Sequence, residues 1–558
     1  MMDVSMSIQE IRRSVLEDIR AREIYIPETG FLAGPTYPVR EMVETGIWRQ
    51  QDYGWDNLHF PLNYKLLMQE GVPGIIRRAS VPRDGLSEER QEYRALIAES
   101  WNEIGQYILR HAKKAEALAA ERPEDAARLR RIAQNCRTLS CRAPETFEQG
   151  VQLFWFIWRL RGNYTSCIGR MDVHLRELYE KDVPGRISRE KALDILCELW
   201  ERLNETYSGD TLMNIMLGGV DENGEDVSCD LSILIMEATM RVAKSEPHIN
   251  VRIHPGSKPE FLDAAIRLIA MGQGQGVAYF DDNIIPALVK RGIPLELARI
   301  YANDGCTELT FDSHSAIWFW QMESVKSLEL ALFRGKENPS TPFRPYNKWS
   351  IFGSTEVYHT RLTLGHDSGN FAEMTTFEQV YEAFLDQYGY QIDCYMEKMA
   401  RQIRDNEETD KYHTSPIAAG MNELALDTGA DPIREGWEVK NYQMLSGSIP
   451  TLADCLHAIR EGVFEKKLCT MAELIHALSV DFEGYEALRL ELKKLPKFGN
   501  DEDSVDLLAA ELAEFFCRRV EEYPTPCGIR PLPGIYNIDF NMFSGSVGQC
   551  RMAEGEAT

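Results

Sequence analysis

Short strand-like segments alternate with long helical patterns along this chain of 558 residues. The helical patterns, with apolar residues spaced three and four apart, cover 88–120, 144–161, 189–205, 376–404 and 503–522. Strand-like segments at 249–253 and 276–280 are each bounded by proline or glycine. Because helices alternating with strands are typical of sheets covered by helices, the pattern predicts an α/β fold.

The organisation of the chain indicates one continuous body. A length of 558 residues exceeds the usual single-core domain, so the sequence requires either several domains or one large closed α/β architecture. No internal repeat, low-complexity tract or Ser/Gly linker separates independent domains. Local signals agree with the helical pattern, since Ser188 stands just before an Ala-Leu-rich run, where a helix N-cap belongs.

Composition narrows the classes of partner. The net charge is -26, which disfavours nucleic acid and anionic membranes because neither is attracted to an acidic surface. The first twenty residues are charged and amphipathic, without the apolar core of a signal peptide, and no apolar run is long enough to cross a bilayer. We therefore predict a cytoplasmic location.

The cysteines predict neither a disulfide framework nor a metal site. There are 12 of them, scattered and without a CxxC pair. A cysteine in a folded protein is usually a small buried hydrophobic residue, so most of these thiols are expected to pack in the core. No metal ligands are predicted.

One cysteine stands in a chemically informative segment, which reads YANDGCTE over residues 301–308. Cys306 lies two residues from Glu308, and alternate side chains of an extended segment project to the same side. Gly305 lets the backbone turn sharply just before them. The thiol and the carboxylate can then face one substrate, although the spacing alone equally allows Cys306 to be a packed core residue.

Further segments around Cys306 resemble those of the glycyl radical enzymes of the pyruvate formate-lyase superfamily. The resemblance extends over roughly residues 57 to 540. In chain order, the similar segments lie at 58–64 (LHFPLNY), 70–75 (EGVPGI), 169–172 (GRMD), 179–182 (YEKD), 217–221 (LGGVD), 247–254 (PHINVRIH), 497–501 (KFGND) and 533–536 (PGIY). Cys306 occupies the place of the thiyl cysteine of that family.

The resemblance implies a particular architecture. It is a ten-stranded α/β barrel, built from two antiparallel five-stranded halves and wrapped by helices, with Cys306 on a loop that enters the centre. Residues 57–558 would form this barrel domain, and residues 1–56 an N-terminal helical or irregular segment. An enclosed site suits radical chemistry, because solvent and oxygen must be kept from the reacting atoms.

The resemblance also implies roles for individual residues. Cys306 would carry a thiyl radical and Glu308 would accept the proton of a substrate hydroxyl while the neighbouring group leaves. His59 would donate a hydrogen bond to a substrate oxygen, although a structural histidine is the alternative, and Asn250 equally can satisfy only the backbone. The substrate contacts expected from the resemblance are His59, Asn250, Phe280, Asp281, Trp320 and Tyr536.

The neighbours of Cys306 separate the subclasses of the family. Thr307 follows it, so the second sulfur that pyruvate formate-lyase uses for acyl transfer is absent. We therefore expect dehydration of a small hydroxylated substrate, with acyl transfer of the pyruvate formate-lyase type as an alternative. Decarboxylation of an arylacetate stays open, because Leu309 and the aromatic run 318–320 depart from the diol dehydratase pattern, and this run can either wall a substrate or pack in the core.

The radical glycine is not identified in the sequence. Family members carry it in an Arg-Val-x-Gly-Tyr-like segment, and none follows Tyr536. Gly545, Gly548 and Gly555 lack those neighbours, so the C-terminal glycyl radical domain is expected to be missing. Three hypotheses remain open: a truncated enzyme, an enzyme split between this chain and a small glycyl-radical subunit, and a non-catalytic relative that binds a metabolite or a partner.

The resemblance defines the expected cofactors and partners. We expect no cofactor bound directly by this chain, since no three-cysteine cluster motif is visible. A radical would come from the missing domain or a separate subunit, installed by an iron-sulfur activase that uses S-adenosylmethionine. A small-molecule substrate and a homodimer are expected, with no nucleic acid and no membrane.

Overall fold

The structure is a computed structural model. It describes residues 7–35, 58–59, 61–161, 167–205, 213–304, 308–336, 338–340, 365–408 and 415–536. Within these ranges, none of the helices combines the length and apolar character needed to cross a membrane.

The chain divides into two compact units. The N-terminal unit comprises Met2–Ile317 and Asp410–Lys440, and the C-terminal unit comprises Trp318–Thr409 and Asn441–Thr558. The predicted division at residue 57 stays a prediction.

The helices are, in chain order, α1 Ile8–Ala21, α2 Tyr64–Ser80, α3 Glu88–Glu121, α4 Ala126–Cys141, α5 Phe147–Leu160, α6 Met171–His174, α7 Arg176–Asp182, α8 Arg189–Asn204, α9 Asp230–Val242, α10 Pro259–Ala270, α11 Asp281–Lys290, α12 Leu295–Arg299, α13 Ser324–Leu332, α14 Phe377–Glu408, α15 Pro416–Ala419, α16 Glu423–Thr428, α17 Ile449–Ala458, α18 Met471–Ser479, α19 Glu486–Lys493 and α20 Asp503–Glu522. The strands are β1 Leu58–His59, β2 Cys167–Gly169, β3 Asn214–Gly218, β4 His248–Ile253, β5 Val277–Phe280, β6 Ala302–Asp304, β7 Glu308–Thr310, β8 Ser315–Glu323, β9 Val439–Gly447 and β10 Leu532–Tyr536.

Each predicted helix and strand is confirmed to within a few residues, because strong periodicity survives in the tertiary structure. Ser188 caps α8 as expected, its hydroxyl accepting from the backbone N–H of Lys191 at 3.1 Å. The α/β composition is therefore confirmed. Among the described residues the strands form separate sheets and do not close into one barrel.

Helix α2 contains a break that only glycine accommodates. Gly71 has φ 60° and ψ -177°, a region closed to residues with a side chain. A Cβ at this position would lie 2.6 Å from the Cα of Ala143. The break redirects the helix just after the segment that contains His59.

The N-terminal unit contains a parallel sheet with strand order β2-β3-β4-β5. Asn214 pairs with His248 and Gly218 with Arg252, and Cys167 lies opposite Asn214. All five residues of β3 are buried, as expected for a strand covered on both faces. Because side chains alternate along a strand, Cys167, Asn214 and Asn250 project from the same face of this sheet.

Strands β6 and β7 form an antiparallel ribbon in the same unit. The ribbon joins a buried apolar cluster that includes Met216 of β3, Tyr301, Ala302 and Phe311. The cluster packs the ribbon against the face of the parallel sheet from which Asn214 and Asn250 project.

The C-terminal unit contains a second sheet. In it β10 runs parallel to β9, with Leu532 opposite Gln443 and Tyr536 opposite Gly447. Strand β8 lies on the other side of β9. The ring of Tyr442 stacks on that of Trp318, their centroids 4.4 Å apart and their planes within 4°.

Candidate active site

The β6–β7 ribbon carries the segment in which sequence analysis placed the catalytic pair. Asp304 and Glu308 are direct cross-strand partners and form the last pair of the ribbon. Only residues 305–307 connect the two strands, and these, Cys306 among them, lie outside the described residues. Side chains of directly opposed residues share one face, with Cβ atoms about 4.5–5.5 Å apart. Asp304 and Glu308 therefore project together beside the connection that contains Cys306.

Three asparagine side chains link the ribbon to the parallel sheet. The Oδ1 atom of Asn214 accepts hydrogen bonds from the Nδ2 groups of Asn250, at 2.9 Å, and Asn303, at 3.1 Å. All three residues are almost fully buried. The structure thus brings the predicted residue Asn250 to the ribbon that contains Glu308, through two asparagines that sequence analysis did not identify.

A buried thiol on β2 contacts both strands of the ribbon. The Cys167 thiol donates to the backbone carbonyl of Asn303 on β6, at 2.9 Å, and its Sγ lies 3.7 Å from Oγ1 of Thr310 on β7. Burial raises the pKa of Cys167 well above its ordinary value, and the charges of Asp304 and Asp312 raise it further. The thiol is consequently protonated at neutral pH and acts as a hydrogen-bond donor.

Further ionisable side chains surround Cys167. Burial raises the pKa of the Tyr64 hydroxyl, an effect that the charge of Arg161 opposes. Burial lowers the pKa of Arg161 to about 10, while Tyr64, Asp304 and Cys167 counteract this shift, so the guanidinium stays cationic at neutral pH. Within the described part of the chain, the buried Tyr64 hydroxyl has no hydrogen-bond partner.

A histidine and a carboxylate complete this group of residues. Nε2 of His174 lies 2.7 Å from Oδ2 of Asp312, just beyond β7. The backbone N–H of Ser313 donates to the carbonyl of Pro61 at 3.3 Å, which ties the segment following β1 to the segment following β7. His59 itself is the last residue of β1, and its side chain lies outside the described residues.

The carboxylate of Asp281, a predicted substrate contact, is engaged by other protein groups. Arg252 donates to both of its oxygens at 2.9 Å, and the Tyr301 hydroxyl donates to Oδ1 at 2.7 Å. Phe280 precedes it at the end of β5, where its side chain is 52% exposed. A substrate role for these two residues stays a prediction, and the observed bonds give Asp281 a structural role.

The last two predicted contacts lie in the C-terminal unit. Trp320 is buried on β8 and stacks on Tyr442, with ring centroids 6.1 Å apart. Tyr536 is the last residue of β10, and its side chain lies outside the described residues. Their substrate roles also stay predictions. Among the described residues no cluster of His, Cys, Asp and Glu has the geometry of a metal site.

Comparison with known proteins identifies the family. The model of the pyruvate formate lyase-like family matches residues 21–545, nearly the whole chain. The chain belongs to the pyruvate formate lyase-like family. The resemblance inferred from its motifs is thereby confirmed, and the match includes the β6–β7 ribbon and the parallel sheet.

Two curated members of the family illustrate the relationship. Trans-4-hydroxy-L-proline dehydratase of Clostridioides difficile is 29% identical in an alignment of 455 residues that covers 77% of this chain and 54% of the relative. (2S)-3-sulfopropanediol dehydratase of Klebsiella oxytoca is 26% identical in an alignment of 521 residues that covers 87% of this chain and 60% of the relative. The chain therefore spans between half and two thirds of the length of these curated relatives.

Solved structures establish the fold. The 1,2-propanediol dehydratase structure from Roseburia inulinivorans superposes with a TM-score of 0.81 at 22% identity, covering 100% of this chain and 79% of that one. The B12-independent glycerol dehydratase of Clostridium butyricum superposes with a TM-score of 0.78 at 22% identity, covering 99% of this chain and 78% of that one. The predicted α/β barrel fold class of the glycyl radical enzymes is confirmed by these similarities.

Sequence features pointed only in part to the polar residues that sequence analysis did not identify. Asn303 and Asp304 stand in the same extended segment as Cys306, where strand alternation gives their side chains opposite faces. Cys167 directly precedes the GRMD segment that contributed to the resemblance. Nothing in the sequence pairs Cys167 with residues more than 130 positions away.

Proposed function

We propose that this chain is the catalytic body of a glycyl radical lyase that eliminates water from a small hydroxylated substrate. The observation that carries the proposal is the register of the β6–β7 ribbon. Glu308 begins β7 directly after residues 305–307, which include Cys306. A carboxylate is therefore fixed beside the connection that contains the thiol.

The proposed mechanism assigns one bond change to each residue. As a thiyl radical, Cys306 removes a hydrogen atom from the carbon that bears a hydroxyl, forming its S–H bond. Glu308 accepts the proton of that hydroxyl while the C–O bond at the neighbouring carbon breaks, and it passes this proton to the departing hydroxide, which leaves as water. The Cys306 thiol then returns its hydrogen atom to the product carbon, which regenerates the thiyl radical.

Two other residues would orient the substrate. Asn250 presents a side-chain amide on the face of the sheet that is directed toward the ribbon, and His59 is proposed as a donor to a substrate oxygen. An amide both donates and accepts hydrogen bonds, as recognition of a hydroxyl group requires. The names of the two curated relatives specify hydroxylated substrates, a hydroxyproline and a propanediol derivative, which supports this class.

A stored glycyl radical would supply the oxidation of the Cys306 thiol. We propose that an iron-sulfur activase using S-adenosylmethionine generates it, on a glycine in a longer polypeptide or in a separate small subunit.

Decarboxylation of an aromatic acid is less well supported. The ring of Trp318 is fully buried and stacks on Tyr442, and Trp320 stacks on the same tyrosine. These contacts use the aromatic run for packing in the C-terminal unit, which favours the core interpretation of the run.

The test is anaerobic reconstitution with an activase and a candidate radical subunit, followed by electron paramagnetic resonance. Glycerol and propane-1,2-diol, which carry hydroxyl groups on neighbouring carbons, would be added in turn. We expect a glycyl signal that decays with one of these compounds as an aldehyde forms.

Matched variants give the test its specificity. Cys306→Ser should keep the signal and lose turnover, and Glu308→Gln should lower turnover by about 100-fold or more, the size of a general-base contribution. Cys141→Ser, at an exposed thiol of α4, serves as the control and should behave as the parent. Full turnover in Cys306→Ser would disprove the mechanism, and no signal with any radical subunit would favour a non-catalytic relative.

A further inference from the structure

The β6–β7 ribbon ends in two directly opposed carboxylates, Asp304 and Glu308, and only the second has a role in the proposed reaction. Like charges directly opposite in an antiparallel pair repel each other, so such a pair is costly when both groups are ionised. The pair stands beside the residue proposed to react. The repulsion between the two carboxylates disappears if one of them keeps its proton.

We propose that Asp304 is a positioning residue for proton transfer, forming with Glu308 a paired carboxylate site that holds one proton. The inference rests on the proposed function, because it assigns the shared proton to the group that acts as base. Asp304 acts through Glu308 and needs no contact with the substrate.

A buried arginine lies close enough to Asp304 to offer its carboxylate a counter-charge. Asp304 is fully buried, and the cationic guanidinium of Arg161 interacts with it electrostatically. An opposite charge near a carboxylate stabilises the ionised state. Other titratable groups near the ribbon among the described residues include Tyr64 on α2, Cys167 on β2, His174 on α6, Asp312 after β7, Tyr279 and Tyr301 in the apolar cluster, and Arg252, which donates to the Tyr301 carbonyl.

The ribbon is held so that the two carboxylates cannot easily move apart. The Cys167 thiol donates to the Asn303 carbonyl next to Asp304 and also contacts Thr310, two residues from Glu308. Asn303 is tied in turn to Asn214 of β3. One thiol and one amide thus fix both strands against the sheet at the point where the carboxylates meet.

The pairing has a chemical consequence for the reaction. Glu308 must be ionised to accept the hydroxyl proton and must then give that proton to the departing hydroxide, so that water leaves. A negative charge on Asp304 raises the proton affinity of the Glu308 carboxylate. Glu308 would then exchange its proton closer to neutral pH, where a general base works best. Asp304 therefore tunes Glu308 to serve as acceptor and donor in one cycle.

The test is infrared titration of the purified chain, which needs neither radical nor substrate. The C=O band of a protonated carboxyl group is recorded against pH, and subtraction of the Glu308→Gln spectrum isolates the contribution of Glu308. We expect the midpoint for loss of this band to fall by about 1–2 pH units in Asp304→Asn, the shift expected for removing one like charge at this separation in a protein interior.

Controls separate the charge of Asp304 from its structural contribution. Asp304→Glu retains the charge and should retain the midpoint, while Asp282→Asn removes an exposed carboxylate from α11 and should change nothing. Asp304→Ser serves if the asparagine variant does not fold. A midpoint that moves by less than about half a pH unit in both Asp304→Asn and Asp304→Ser would overturn the proposal.

The two proposals fail independently. Unchanged titration in the Asp304 variants would remove the paired site and leave the roles of Cys306 and Glu308 in place. Once a substrate is known, Asp304→Asn should also move the acidic limb of the kcat profile to lower pH by the same amount. A purely structural role for Asp304 would lower the rate at all pH values without moving that limb.

Discussion

Replacing Asp281 with alanine tests whether its carboxylate supports the fold. In the folded protein Asp281 is 3% exposed and accepts two hydrogen bonds from Arg252, which is fully buried, and one from the Tyr301 hydroxyl. The substitution would leave a guanidinium charge inside the N-terminal unit without its counter-ion. Arg252 would keep its bonds to two backbone carbonyls, at 2.7 and 3.0 Å, and its cation–π contact with the Tyr301 ring, 3.8 Å from the ring centroid.

The structure sets the size of the effect. Removing one partner of a buried, bidentate ion pair costs about 3–5 kcal/mol, because the remaining charge stays desolvated. Asp281→Asn keeps one acceptor oxygen and should cost about 1.5–3 kcal/mol, the value of hydrogen bonds to a charged group. The double variant Arg252→Met with Asp281→Ala removes both charges, so it should be more stable than Asp281→Ala alone.

The assay is urea denaturation followed by far-ultraviolet circular dichroism, comparing midpoints at equal slopes. Asp282→Ala, the exposed neighbour on α11, is the matched control and should change the free energy of unfolding by less than about 0.5 kcal/mol. A loss below about 1 kcal/mol in Asp281→Ala, or a double variant less stable than the single one, would refute the reasoning. Asp281 would then be available for the substrate contact that sequence analysis proposed.

Two further predictions concern Gly71 in α2 and His111 in α3. Gly71→Ala should destabilise the protein by about 2–5 kcal/mol in the same assay, since it combines a forbidden backbone conformation with a close contact to Ala143. The control is Gly85→Ala, which also has a positive φ, 81°, but has open space around it and should cost only about 1–2 kcal/mol. Burial lowers the pKa of His111 from 6.5 to about 4, so the unfolded chain binds a proton between these values that the folded chain does not. The free energy of unfolding should therefore fall by about 3 kcal/mol as the pH drops from 6.5 toward 4. In His111→Gln this part of the pH dependence should be absent, as measured by the urea midpoint at each pH. Equal slopes in the parent and His111→Gln would contradict the assignment of a neutral buried imidazole.

Local interactions explain what sequence analysis predicted correctly. The predicted helix at 503–522 is the observed α20, and Ser188 caps α8, because apolar periodicity and capping act within a few residues of the chain. The segment around Cys306 was predicted to be extended, and the flanking residues form β6 and β7. The family was also identified from the order of short segments.

Long-range contacts explain what the sequence did not reveal. The substrate contact of Asp281 stays a prediction, and the structure adds that an arginine 29 residues away donates to both of its oxygens. Phe280, next to it, projects into solvent at the last strand of the parallel sheet. No local pattern distinguishes a carboxylate that binds a ligand from one that neutralises a buried arginine.

By itself, the sequence determined the α/β composition, the helix boundaries, the family and the position of Cys306 two residues before Glu308, because each of these depends on neighbouring residues or on the order of motifs. Only the tertiary structure decided which polar groups meet at the β6–β7 ribbon. It brought Cys167 and Asn214 to Asn303 and Asn250 to Asn214, from strands that are distant in sequence, and it set Asp304 opposite Glu308. The physical reason is strand pairing: register and packing between sheets bring these side chains together, and neither is encoded in the spacing of residues along one segment.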